Sequence, residues 1–269
     1  MRMFRLPTQI PIEEYPPPQA FIEEAERLVE AASKQELVLR VMGGMAVYMR
    51  CPPAFRDVWK TLKRLGDRVF TDIDFVSYGK YKSSMIDFMK SMGYQTTPEL
   101  MLQAGKGRQI FFGGKVPMVE VFYDRLDMNH VIEYAGRLEL DRLTVPLADL
   151  MLQKLQIVKI NDKDIKDLVV LFATHETGAG DPEKIDVDFV SSEYMQIDWN
   201  FYYTATTNLQ KVKDAVVGFD SLSKDDKNRV SERASLILGT IEKAPKGTKW
   251  KLRARVGPKV KWYNDVDEW

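Results

Sequence analysis

The chain has one cysteine and two histidines, no excess charge of either sign, and no long apolar run. A lone Cys51 excludes an internal disulfide and a cysteine-built zinc site, both of which need several cysteines at set spacings. His130 and His175 are too few for a histidine-led metal centre and stand apart from any serine or cysteine nucleophile pattern, so neither is given a catalytic role. Lysine plus arginine equal aspartate plus glutamate at 39 each, so no global field draws the molecule to nucleic acid or membrane, and any electrostatic preference must be local. Nowhere do eighteen apolar residues follow one another, and the start of the chain carries no charged-then-apolar leader pattern; these features lead us to expect a cytoplasmic protein with no membrane partner.

With 269 residues and 45% hydrophobic content, there is material for one large or two modest cores. The prolines at 16, 17 and 18 predict an extended amino-terminal arm rather than a helix or central strand. Phe21, Ala25, Leu28 and Val29 recur at helical spacing within 20–32. Leu37 to Val41 reads as a strand, Gly43-Gly44 as a turn, and Met45 to Met49 as the start of a helix. A helix is expected over Phe55 to Leu65, a strand over Val69 to Val76 and a helix over Tyr81 to Met92. The runs Gln109 to Phe112 and Pro117 to Tyr123, split by Gly113-Gly114, read as a hairpin, and Arg137 to Val145 as a further strand or pair. Beyond Pro146 the pattern turns helical, with stripes at Leu147, Leu150, Met151, Leu155 and Val158 and at Ile165, Leu168, Leu171 and Phe172. Later helices are expected over Asp198 to Val217 and from Lys224 to Ile241. The expected organisation is an α/β (α+β) domain with its arm over 1–145, a mixed sheet flanked by helices, followed by a mainly helical domain over 146–269.

In Thr71-Asp72-Ile73-Asp74-Phe75-Val76, strand alternation puts both aspartates on one face and Ile73 and Phe75 on the other. Two like charges on one face repel, and they are costly to bury unless a cation joins them. The plainer reading is the wet side of an edge strand, and Asp-x-Asp alone does not choose between them. Two further signals stand in order around it: the strand-Gly43-Gly44-helix unit before, and Glu120 in Val119-Glu120-Val121-Phe122 after.

These residues together resemble the DNA polymerase beta-type nucleotidyltransferase superfamily, whose pattern is a Gly-Gly or Gly-Ser turn, an Asp-x-Asp strand and a third strand carboxylate. More narrowly, the chain looks like the branch that includes the abortive-infection nucleotidyltransferase toxins. The branch's later helices are matched by Leu152-Gln153-Lys154-Leu155 and by Lys163-Asp164-Ile165-Lys166-Asp167-Leu168, so the match runs from Leu37 to Phe172.

The resemblance implies that Gly43 and Gly44 let the backbone approach a nucleoside triphosphate substrate, and that Asp72 and Asp74 bind Mg²⁺ or Mn²⁺. Glu120 is implied as the third metal ligand or as a base at the acceptor hydroxyl. Asp124, at the end of the same strand, is the other candidate, disfavoured by its place beside Arg125. Lys154 either contacts phosphate or snorkels from its apolar stripe, and Asp164 and Asp167, three apart on one helix, either orient it or cap their own helix. Two features depart from the pattern: 27 residues separate Gly44 from Asp72, and the third carboxylate is glutamate.

The expected chemistry is metal-dependent transfer of a nucleoside monophosphate to an acceptor hydroxyl on tRNA or other RNA, on a protein or on a small molecule, with the nucleotide between the two domains. The alternative is a non-catalytic nucleotide- or RNA-binding protein of the same fold, toxin-like or regulatory, with an antitoxin-like protein partner. Gly105-Lys106-Gly107-Arg108 is basic and flexible but lacks phosphate-loop spacing. Lys243 to Tyr263 holds eight basic residues and no acid, interleaved with Trp250, Trp262 and Tyr263. Lys251, Arg253 and Arg255 there either follow an RNA backbone or alternate along an edge strand.

Overall fold

In a computed structural model that describes residues 5–63, 69–105 and 107–266, the helices are α1 (Pro18–Lys34), α2 (Gly43–Arg50), α3 (Arg56–Thr61), α4 (Lys82–Ser91) and α5 (Pro98–Ala104), then α6 (Leu147–Leu155), α7 (Asp162–Thr174), α8 (Val187–Val190), α9 (Trp199–Val216), α10 (Lys224–Lys243) and α11 (Thr248–Val256). Four strands, β1 (Arg40–Val41), β2 (Ile73–Ser77), β3 (Arg108–Phe112) and β4 (Met118–Tyr123), form a mixed sheet in the order β1-β2-β4-β3. The architecture is α/β with a large helical share. Lys106 and the end of the helix expected over Phe55 to Leu65 lie outside the described residues.

The chain divides into two units. The first gathers the described residues of Met1–Arg50, Leu65–Leu126 and Glu133–Val145; the second gathers those of Cys51–Arg64, Asp127–Ile132 and Pro146–Trp269. The division is thus not one cut after Val145, because two short earlier segments cluster with the helical residues.

In the first unit β2 and β4 are parallel, with Ile73, Asp74, Phe75 and Val76 opposite Val119, Glu120, Val121 and Phe122. A parallel pair needs a long crossover, supplied here by α4, α5 and β3. β3 and β4 close the expected antiparallel hairpin, Phe112 opposite Met118 and Arg108 opposite Phe122. Ile73, Phe75, Val119 and Val121 are fully buried, as are Ala25, Leu28 and Ala32 on the α1 stripe. Glu24 is buried on that same face, held by Arg27 at 2.6 Å and the Tyr94 hydroxyl at 2.9 Å.

The strand expected over Leu37 to Val41 shortens to two residues, although Leu39 remains in the core. The segment expected as a strand at Arg137 to Val145 is a succession of turns touching the sheet at one bridge, Val41 to Thr144. The reason is Asp141, whose carboxylate takes the amides of Leu143 and Thr144 at 2.8 and 3.0 Å, donors that a ladder would otherwise use. Its carbonyl also takes the Arg40 guanidinium and its carboxylate pairs with Arg50. The arm is not extended throughout: short 3₁₀ turns occupy Pro7–Gln9 and Ile12–Glu14, and the Tyr15 hydroxyl donates to the Thr71 carbonyl at 2.8 Å.

The second unit buries every residue of α6, the Leu168 to Phe172 run of α7, and the Val230, Ala234, Ile237, Ile241 stripe of α10. Residues 251–256 do not form the edge strand that their alternation suggested; they belong to α11, none of whose residues is fully buried. Helical spacing sets Trp250 and Arg253 on one face, where they meet Trp199 and Tyr202 of α9. Trp250 packs edge-on to Tyr202 at 5.0 Å and donates to the Met195 carbonyl at 3.0 Å, while Arg253 lies 4.5 Å over the Trp199 ring.

Candidate functional site

The carboxylates of the first unit are organised by β2 and β4. Asp74 stands opposite Glu120 across the parallel pair, which puts the two side chains on the same face of the sheet. Asp72 lies one residue ahead of β2, two residues from Asp74, and accepts a hydrogen bond from the Thr71 hydroxyl at 3.0 Å. Arg108 reaches Glu120 from β3 at 3.0 Å, both side chains being 13% exposed. Burial holds the Glu120 carboxyl above the ordinary carboxylate range; Arg108 opposes this and the nearby Asp72 charge adds to it.

Gly43 opens α2 at φ +70°, and the Met42 amide just before it donates to the Asp74 carbonyl at 2.8 Å. A Cβ at Gly43 would stand 2.7 Å from Asp74 Oδ2, so only glycine gives both the left-handed turn and this approach. Gly44 is the second residue of the same helix and is buried. Gly43 and Asp74, remote in sequence, are therefore in contact.

Asp124 does different work. It follows β4 at φ +61° and accepts from the Gly79 amide at 2.8 Å, closing the turn after β2.

In the second unit, Lys154 lies 2.9 Å from Asp164 and 2.9 Å from Asp167, the three side chains being 9%, 4% and 0% exposed. Asn161 caps α7 by accepting from the Asp164 amide at 3.2 Å, which fixes the first turn of the helix that carries both carboxylates. One ammonium between two carboxylates joins α6 to α7.

The scan against protein-family models and the search of curated proteins found no match. A solved structure resembles part of the chain. It is the solution structure of the antibiotic-resistance factor ANT(2'')-Ia, at 12% identity and a TM-score of 0.34, the alignment covering 57% of this chain and 82% of that one. A likeness that slight says nothing about what this chain binds or does.

The donor chemistry fits a hard divalent cation, since the Asp72, Asp74 and Glu120 donors are all carboxylate oxygens and Glu120 is pushed toward protonation by burial and by Asp72. Among the described residues, however, no group of three His, Cys, Asp or Glu side chains is arranged to hold a metal ion. Mg²⁺ requires no such cage, because it commonly takes one or two carboxylates and completes its shell with water and substrate phosphate. Arg108 is the site residue that sequence reading missed. The hairpin register carries the signal: Ile110 pairs with Glu120, and Arg108 is the next residue on the same face.

In the carboxy-terminal segment, Lys251 and Arg255 are exposed, whereas Arg253 donates to the Gly257 and Val260 carbonyls at 2.7 and 3.0 Å. His130 is buried, stacked on Phe201 at 4.9 Å and 2.8 Å from the Thr204 hydroxyl, and burial pushes its imidazole down to about 4. Among the described residues no helix is long and apolar enough to cross a membrane.

Proposed function

We propose that the chain is a metal-dependent nucleotidyltransferase that moves a nucleoside monophosphate from a nucleoside triphosphate to an acceptor hydroxyl. One observation carries the reading: Asp74 and Glu120 stand in register on adjacent parallel strands, with Asp72 two residues away and the Gly43 backbone against Asp74. Asp72 and Asp74 would hold Mg²⁺, which supplies charge neutralisation at the phosphates and orients them for in-line displacement. The α2 amino terminus beside Asp74 offers amides to the triphosphate. An acceptor oxygen forms its bond to the α-phosphorus as the bond to the bridging β-phosphate oxygen breaks, and pyrophosphate leaves. The hydroxyl proton goes to Glu120, whose raised affinity for protons suits a base once Arg108 releases it. Lys154, bridging Asp164 and Asp167, contributes by fixing α6 against α7.

The exposed Lys251 and Arg255 support an RNA acceptor, with a protein or a small molecule as the other acceptor classes. The Arg108–Glu120 pair favours one second reading, a non-catalytic nucleotide- or RNA-binding protein, because a side chain already neutralises the third carboxylate. Incubating the protein with labelled ATP, CTP, GTP or UTP, Mg²⁺ and total RNA separates the two. The transferase reading expects label on an acceptor with the wild type and none with Asp72→Asn/Asp74→Asn. Nucleotide binding without any transfer supports the second reading, and equal labelling by both proteins removes the metal site.

A further inference from the structure

Apart from the carboxylates of the sheet, the second unit contains a cavity of about 400 Å³ built from 129–131, 193–201 and 261–264. Its walls are aromatic and internally braced. Tyr194 meets Phe201 edge-on at 5.7 Å, and Tyr263 meets Trp262 edge-on at 5.1 Å. The Trp262 indole donates to the Thr204 hydroxyl at 3.0 Å, which fixes the ring plane. A pocket of this size and lining is the kind that holds a small molecule.

The lining of the cavity carries two carboxylates against one ammonium. Glu193 and Asp198 both line it. Asp198 spends one oxygen on the Asn200 amide at 2.8 Å, capping α9. The Asn200 side-chain oxygen is buried and accepts no hydrogen bond, an omission that buried acceptors rarely tolerate. Lys261 is the one lysine or arginine in the lining; it pairs with Asp265 and rests 5.4 Å over the Tyr263 ring. The single cationic side chain of the lining is thus committed to Asp265 and the Tyr263 ring, while two carboxylates line the same cavity. Aromatic faces attract a cation, and carboxylates with an orphan amide oxygen take its N–H groups. A phosphate-bearing ligand would instead meet Glu193 and Asp198 with like charge.

We propose that this cavity binds an organic ammonium ion, held by Glu193, Asp198 and the Asn200 side-chain oxygen between the Tyr194, Phe201, Trp262 and Tyr263 rings. The inference does not depend on nucleotidyl transfer.

The test is calorimetric titration of the full chain with spermidine and with choline at physiological salt, where diffuse surface attraction is screened. At least one probe should bind the wild type, and Glu193→Gln/Asp198→Asn should weaken that probe tenfold or more. Asparagine caps a helix as well as aspartate does, so the variant should melt with the wild type in the absence of ligand. Trp262→Leu provides a second, uncharged loss of affinity. Failure of both probes to bind, or equal affinity for wild type and the charge variant, overturns the proposal. It is also overturned if adenosine or cytidine monophosphate binds instead and binds more tightly to the charge variant, which would make the cavity a nucleobase site.

Discussion

Replacing Gly43 with alanine separates the local cost of an unusual backbone from the cost of displacing a carboxylate. At φ +70° an L-residue sits in the left-handed region, a penalty of about 1–2 kcal/mol. The new Cβ would also lie 2.7 Å from Asp74 Oδ2 and 3.6 Å from Asp74 Cβ and Cγ. The nearest atom is the tip of a side chain, so rotation of the carboxylate relieves the clash more cheaply than movement of β2. Fold stability should therefore fall chiefly by the backbone term, a small share of the roughly 5–15 kcal/mol that domains possess. Nucleotide transfer should suffer far more, because a displacement of about 1 Å in a positioned group can cost about 100-fold in rate. The control is Gly93→Ala: Gly93 has φ +95° and nothing within 4 Å of its would-be Cβ. Both variants should lose similar stability in urea denaturation, while only Gly43→Ala loses transfer activity. Equal activity in the two would refute the placement of Asp74 at the reacting centre.

Lys154→Met leaves Asp164 and Asp167 buried without their shared ammonium and should cost about 3–5 kcal/mol in urea unfolding, part of it recovered by adding Asp164→Asn and Asp167→Asn. A loss below about 1 kcal/mol would show that the pair is compensated elsewhere. His130 is held at about 4 against an ordinary 6.5, so the unfolded chain takes up its proton first as pH falls. The associated stability is complete above 6.5, declines through the window from 6.5 to about 4, and amounts to about 3 kcal/mol, with Asp198 acting in the opposite direction. The stability difference between wild type and His130→Gln should shrink over that window, and a constant difference contradicts the assignment. Burial pushes the Cys51 thiol up to about 12, so a disulfide reagent at pH 8 should label it only after denaturation. Rapid labelling of native protein would show that the thiol is open.

Most long helices were legible because their apolar stripes are strongly periodic, as in α1, α6, α7 and α10. Short strands were not. β1 keeps only two residues of its apolar run, and Leu143 and Thr144 satisfy their amides through Asp141, a competition that hydrophobic pattern does not record. α11 was misread because basic and apolar residues alternate there, whereas its conformation follows the docking of Trp250 and Arg253 on α9. At the site, alternation led us to expect Asp72 and Asp74 on one face, and which strand lay beside Asp74 needed the β2–β4 register. The contact between Gly43 and Asp74 and the capture of Glu120 by Arg108 are likewise tertiary, carried by a glycine φ and a hairpin register. The Lys154 set was visible as a spacing in α7, and its closure around one ammonium came with the packing of α6.

The most direct measurement follows ATP, CTP, GTP or UTP labelled at either the α- or the γ-phosphate, with Mg²⁺ and candidate acceptors, in wild type and in Asp72→Asn/Asp74→Asn. Nucleotidyl transfer built on these carboxylates predicts that the α-label moves to an acceptor with one pyrophosphate released per transfer, that the γ-label never does, and that the double variant is silent. Transfer of the γ-label, or α-label incorporation that survives loss of both aspartates, would contradict it.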